Sequence, residues 1–133
     1  KKINHSYLGQ PLLLYPTAIG AHPGLPGYGS QSTWQRAMQG HAACNVIPVA
    51  ASNRIRQEDW ENLNMAFYGS SFVADQHGEI MAQADRQHED IVIASFDFAA
   101  IRAERAAWGL FRDRRPDFYE PLLSHGGLTP TPV

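Results

Sequence analysis

The stretch Leu12-Leu13-Leu14-Tyr15-Pro16-Thr17-Ala18-Ile19-Gly20 decides the fold of this chain. An apolar run that short, halted by a proline, has the length and composition of a buried strand. From Thr17 to Gly29 the chain carries Gly20, Gly24, Gly27, Gly29, Pro23 and Pro26, so the strand opens into a long loop. Loops of that length inside a compact domain usually have a function. Ser32 is placed to cap a helix, with Trp34, Ala37, Met38 and Cys44 following at about helical spacing and Gly40 inside the pattern. Val46 to Ala51, rich in small and β-branched residues, predicts a second buried strand.

Working outward, Arg54 to Met65 is polar and is expected as a surface excursion. Phe67–Ala74 and Glu79–Gln83 bracket Asp75-Gln76-His77-Gly78, a turn sequence closing on glycine, which predicts a β-hairpin. Ile91-Val92-Ile93-Ala94-Ser95-Phe96 has the make-up of a further strand. Asp97 is suited to cap the next helix, in which Ile101, Arg105, Trp108 and Phe111 fall on related faces, and Pro116 ends or bends it. Residues 124–133 are expected as a loose tail. The order strand, helix, strand, hairpin, strand, helix indicates an α/β layer structure with at least one sheet covered by helices.

At 133 residues the chain fits a single domain, 1–133, able to bury a real core. With 44% hydrophobic and 18% charged residues it should fold rather than stay disordered. A formal net charge of -2, with arginines and acids interspersed, gives no basic field for nucleic acid and no cationic block for an anionic membrane. The apolar runs are far shorter than a bilayer span. The opening residues carry no signal-peptide core, and one cysteine allows no internal disulfide. A cytoplasmic setting without nucleic-acid or membrane partners is therefore expected.

Cys44 is the only thiol, and His41 three residues before it would share its helical face. Nucleophilic use needs a base in reach and an electropositive, partly open setting. Burial statistics for free cysteine favour a small side chain packed on the inner face of the helix, so no catalytic residue is assigned. His5, His22, His41, His77, His88 and His125 show no ligand spacing on a predicted helix and no accompanying cysteine cluster, so no metal is assigned and no cofactor is expected. A ligand site is better placed where a strand turns into its loop. There Thr17 offers a hydroxyl, Ala18 and its neighbours offer backbone groups, and Tyr15, Ile19 and Trp34 offer apolar walls; the two aromatics would equally serve a core. Asn45, Ser52, Asn53 and Arg54 flank the second strand, where they could bind a ligand or satisfy loop carbonyls. Arg54 is expected in a buried pair or network, and Arg112-Asp113-Arg114-Arg115, broken by Asp113 and Asp117, in ion pairs at a subunit or domain contact rather than a phosphate or RNA patch.

Three ordered motifs carry a family resemblance: Leu12 to Gly20, Trp34-Gln35-Arg36-Ala37-Met38-Gln39-Gly40-His41-Ala42, and Trp108-Gly109-Leu110-Phe111-Arg112-Asp113-Arg114-Arg115-Pro116-Asp117. Together they resemble the C-terminal half of the carbon–nitrogen hydrolases, the nitrilase superfamily, in the manner of N-carbamoylputrescine amidases, over about Leu12 to Leu123. The resemblance implies half of a four-layer α-β-β-α sandwich that pairs into dimers or larger assemblies. It implies a cofactor-free thiol amidase acting on an amide or carbamoyl amine. In that mechanism Cys attacks the carbon, Glu is general base and acid, and Lys stabilises the oxyanion. Those three residues precede the matched segment in the family, and Lys1 to Gln10 contains no cysteine. The chain alone is then expected to be inactive, with Tyr15, Thr17, Ala18, Ile19 and Trp34 as substrate-pocket residues. The alternative is a non-catalytic oligomerisation or small-ligand module on that fold, and a third reading is an independent enzyme using Cys44 and His41. Either way a homo-oligomer is expected, because a half-sandwich leaves one sheet face in need of cover, with Trp108 and Phe111 near the contact.

Overall fold

The structure, a computed structural model, describes residues 11–123 except 22, 23, 26 and 62. The expected loose tail, 124–133, lies outside the described residues. Strand β1 (Leu13–Thr17) leads through the long loop to helix α1 (Gln31–Asn45), which returns the chain to β2 (Val49–Asn53). A small pair, β3 (Gln57–Trp60) and β4 (Leu63–Ala66), precedes β5 (Phe72–Ala74) and β6 (Ile80–Gln83). Helix α2 (Phe98–Trp108) follows, then two 3-10 turns, Pro116–Phe118 and Glu120–Leu123. The main sheet has the order β1-β2-β5-β6, and β3-β4 forms a separate two-stranded sheet. β1 and β2 run parallel, as strands joined through a helix can, while β5 and β6 continue the sheet antiparallel. Helices and sheet make the α/β layering expected from the sequence.

Registers Leu13↔Val49↔Ala74 and Tyr15↔Ala51↔Phe72 place these side chains on one face of the sheet. Trp34, Met38 and Ala42, four residues apart along α1, are buried against that face in one cluster with Leu13, Ile47, Val49, Ala51, Phe72 and Ala74. The Trp34 ring meets Phe72 edge-on, with centroids 5.5 Å apart, the arrangement the ring quadrupoles favour. The hairpin turn docks on the same helix. Asp75 Oδ1 accepts from the His77 and Glu79 amides, and Gln39 Nε2 donates to the Gly78 carbonyl at 2.7 Å. At φ +85°, with Gln39 O 2.7 Å from where a Cβ would stand, position 78 admits only glycine without strain.

The opposite sheet face is largely uncovered. Leu14 is 68% exposed beside Pro16, Ala50 and Ser52, and among the described residues only the run after Asp90 borders this face. The expected strand Ile91–Phe96 is a correction: the run forms no strand and joins neither sheet. Val92, Ala94 and Phe96 are half-buried while Ile91 and Ile93 are 84% and 80% exposed. Its period-two burial pattern is that of a strand, but no strand of either sheet pairs with it among the described residues.

Other boundaries move for local reasons. The α1 cap is Ser30, not Ser32, and it makes no side-chain cap bond; its amide donates instead to the Tyr68 hydroxyl at 3.0 Å. Val46, expected to open β2, closes α1 in the left-handed region at φ 47°. Its carbonyl accepts from Arg105 Nε at 2.9 Å, which ties α2 to the end of α1. The polar excursion after Arg54 contains the β3-β4 hairpin, paired Gln57↔Ala66 to Trp60↔Leu63. The strand expected from Phe67 to Ala74 is interrupted at Gly69 and Ser70, both at φ 56°. Asp97 caps α2 as expected, accepting from the Ala99 and Ala100 amides. That helix stops at Trp108, short of Phe111, with left-handed Gly109 after it, so Pro116 begins a 3-10 turn rather than ending the helix. No helix among the described residues is long and apolar enough to cross a membrane.

Candidate functional site

Parallel β1 and β2 end together at the register pair Thr17↔Asn53, and the polar groups of the loop converge there. The Thr17 hydroxyl donates to the Ser52 carbonyl at 2.7 Å and lies 3.2 Å from Asn53 Oδ1. Its single hydrogen is thus engaged within the fold, leaving only acceptor capacity for a ligand. Asn53 Oδ1 accepts from the Ile19 amide at 2.8 Å, and Nδ2 donates to the carbonyls of Ile19 and Gly69. Ser71 Oγ accepts from the Asn53 amide at 3.0 Å. Of the two roles the sequence leaves open for the polar residues flanking β2, these contacts match satisfied loop carbonyls. Asn45 does the same within α1, donating to the His41 carbonyl at 2.8 Å. Arg54, expected in a buried pair, is exposed, pairs with Glu58, and lies over the Phe67 ring at 4.7 Å.

The five expected pocket residues divide between core and surface. Trp34 is 8% exposed and belongs to the core cluster, against which Tyr15 and Ile19 pack from the strand end. Tyr15 stacks on His41 at 6.3 Å, and burial pushes its phenol above the ordinary value. Ala18 is exposed between Thr17 and Ile19. A groove of about 410 Å³ runs along the open sheet face, with Leu14, Tyr15, Pro16, Ala50, Phe72 and Val73 in its wall. It shares Ser52, Ser71 and Asp90 with a smaller hollow of about 270 Å³ that adds Asn53, Asp85 and His88. His88, weighed in the sequence only as a histidine without ligand spacing, is exposed, and Asp85 is not singled out there. Only their i, i+3 spacing hints at the bond of 2.6 Å between Asp85 Oδ2 and His88 Nδ1.

Cys44 departs from the buried position expected of it. It is exposed and lines a separate groove with Ala37, Gly40, His41 and Phe111. His41 instead turns its ring to Tyr15, and no hydrogen bond joins it to Cys44 among the described residues. Base and thiol therefore share a groove without forming the nucleophile–base pair that thiol catalysis requires. The arginine-rich run forms exposed ion pairs close in sequence, Arg112 with Asp113 and Arg115 with Asp117.

The family model described as carbon-nitrogen hydrolase matches residues 17–106. This chain belongs to the carbon–nitrogen hydrolase family. It is 52% identical over 115 residues to a citrullinase of Francisella tularensis subsp. tularensis, covering 86% of this chain and 40% of that protein. It is 48% identical over 123 residues to N-carbamoylputrescine amidase of Arabidopsis thaliana, covering 90% of this chain and 41% of that one. The crystal structure of a carbon-nitrogen hydrolase from Helicobacter pylori G27 superposes with a TM-score of 0.79 at 34% identity, over 90% of this chain and 43% of its own. The chain thus spans about two-fifths of the length of the relatives it matches. The architecture is that of the nitrilase superfamily.

Proposed function

We propose that this chain is the C-terminal half of a cofactor-free thiol amidohydrolase that cuts the carbamoyl C–N bond of a small carbamoylated amine. The observation that carries this is the pair of relatives at 52% and 48% identity named citrullinase and N-carbamoylputrescine amidase. Citrulline and N-carbamoylputrescine share one reacting group, a ureido group at the end of an aliphatic chain. In this reading the Thr17–Ile19 turn and Tyr15 border the substrate, and Trp34 supports that wall from the core. The attacking Cys, the Glu that moves protons and the Lys that holds the oxyanion come from the other half of the domain, in the roles the family resemblance implies. Cys44 stands outside this chemistry, and the half on its own is inactive. Its working place is the cytoplasm, as part of a homo-oligomer.

Ammonia release from N-carbamoylputrescine and citrulline tests this, comparing the isolated chain with a polypeptide that joins it to a family catalytic half. Turnover is expected only from the joined form. Turnover by the isolated chain that disappears in Cys44→Ala would show instead that this thiol is a nucleophile.

A further inference from the structure

Asn53 gathers three segments onto one side-chain amide: the end of β1, the turn beyond it, and the residues before β5. Oδ1 accepts from Ile19 N–H at 2.8 Å and faces the Thr17 hydroxyl at 3.2 Å. Nδ2 donates to the Ile19 carbonyl at 3.0 Å and the Gly69 carbonyl at 3.1 Å. The Thr17 hydroxyl hydrogen is directed to the Ser52 carbonyl, so one acceptor lone pair of the amide is bound, by the Ile19 N–H, and both of its donor hydrogens are used. Its orientation is also settled, because flipping it would set Nδ2 against an N–H and Oδ1 against two carbonyls. The Ile19 carbonyl takes a further bond from the Tyr68 amide at 3.1 Å. Tyr68 in turn holds the first turn of α1 through Ser30. Between the clamped Thr17 and Ile19, the Ala18 peptide groups make no hydrogen bond among the described residues, and the residue is exposed.

The β1–β2 ladder already aligns the two strands as far as Thr17↔Asn53. What the amide adds is the conformation of the backbone past the ladder, where the Ile19 side chain packs on the core but the Thr17–Ile19 peptides have no strand to pair with. We propose that Asn53 is a positioning residue for the substrate, fixing Thr17 and Ile19 so that the Ala18 peptide stands at a set place and angle beside the carbamoyl group. This rests on the proposed function, in which that turn borders the substrate. Loss of a binding contact that the ground state and the transition state feel alike raises KM and leaves kcat nearly unchanged.

The test is steady-state ammonia release from N-carbamoylputrescine and citrulline by the joined polypeptide, for wild type, Asn53→Asp and Asn53→Ser, with a thermal melt of each. The aspartate keeps the shape and both acceptors but removes both donors; the serine avoids a new charge should the aspartate fail to fold. Expected is a rise in KM of about tenfold or more with kcat changed less than about threefold, in a variant that still melts cooperatively. A variant that merely loosened the fold would lower the melting temperature and leave KM alone. A cooperative melt with unchanged KM overturns the positioning role and leaves the proposed function standing. If neither variant folds, Asn53 serves folding rather than positioning and the proposal fails. Absence of turnover in the wild type overturns the proposed function, and the role of Asn53 with it.

Discussion

Gly20→Ala measures how tightly the loop after β1 is clasped. A Cβ at position 20 would stand 2.4 Å from the Ala66 carbonyl oxygen, 2.9 Å from its carbon and 3.0 Å from Phe67 Cα. All three are backbone atoms, so no side-chain rotation relieves the overlap, and the loop must back away from the residues after β4 by about 1 Å to reach ordinary contact. That retreat breaks the bonds from Ala21 N–H to the Ala66 carbonyl (2.8 Å) and from Tyr68 N–H to the Ile19 carbonyl (3.1 Å). At a net value of about 1 kcal/mol each, roughly 2 kcal/mol is lost. The smaller conformational entropy of alanine in the unfolded chain offsets about 0.4–1 kcal/mol of this. The balance is a destabilisation of about 1–1.5 kcal/mol. Gly40→Ala is the control, since a Cβ there meets nothing within 4 Å on an exposed stretch of α1; it should stabilise by about 0.5–1 kcal/mol. In urea, with a slope of about 1–3 kcal/mol/M, the two midpoints should move in opposite directions by several tenths of a molar or more. A Gly20→Ala midpoint at or above that of wild type, with Gly40→Ala rising, would refute the clasp.

Asp97→Ala removes the oxygen that accepts from the Ala99 and Ala100 amides, and should cost about 1 kcal/mol in the same urea titration; an unchanged midpoint would mean that α2 is held by packing alone. Donating its ring N–H to the Asp85 carboxylate holds the His88 imidazole above its ordinary value of 6.5, while the His88 amide, then its ring, hold Asp85 down to about 2. Native His88 keeps its proton to higher pH than the unfolded chain does, so the pair's contribution is complete below 6.5 and fades as pH rises through the raised value. On the acid side the Asp85 contribution is lost only as pH falls toward about 2. An NMR titration of the His88 ring should show a midpoint above 6.5 that falls back in Asp85→Asn; an equal midpoint in both would dispose of the pair. The isolated chain should self-associate through its open sheet face or the surface near Trp108, which is 64% exposed. Size-exclusion chromatography with light scattering checks this, and a well-folded monomer at low micromolar concentration would contradict it.

Elements whose cause is local could be read in advance. Asp97 as a cap, Asp75–Gly78 as a turn, and the apolar runs of β1 and β2 each depend on neighbours within a few residues. What escaped depends on partners distant in sequence. Ser30 rather than Ser32 begins α1 because a tyrosine 38 residues later receives its amide. Val46 ends the helix in a conformation that a β-branched side chain adopts only when its surroundings hold it there, as Arg105 does from 59 residues away. That polar groups converge where β1 turns into its loop was legible; which of them bond to one another was not. Thr17 and Asn53 proved to be bonded to each other's strands, and Trp34 proved to be core. Cys44 misled because burial statistics describe free cysteines in general, while its place on the outer side of α1 is set by which helical face Trp34, Met38 and Ala42 turn inward.

The run 91–96 also bears on how the chain behaves when it is not folded with a partner. Five of its six residues are apolar, β-branched or aromatic, it contains neither proline nor glycine, and it carries no charge. That is the composition from which in-register cross-β stacks are built. Asp90 and Asp97 stand directly at its two ends. Stacking copies of the run would also stack those carboxylates at the fibril spacing of about 4.8 Å, where like charges repel. Asp97 thus has two duties, capping α2 in the folded chain and opposing fibril growth in the unfolded one. Replacing either aspartate by asparagine would remove a gatekeeper charge, and the lag before thioflavin-positive aggregation on heating would shorten.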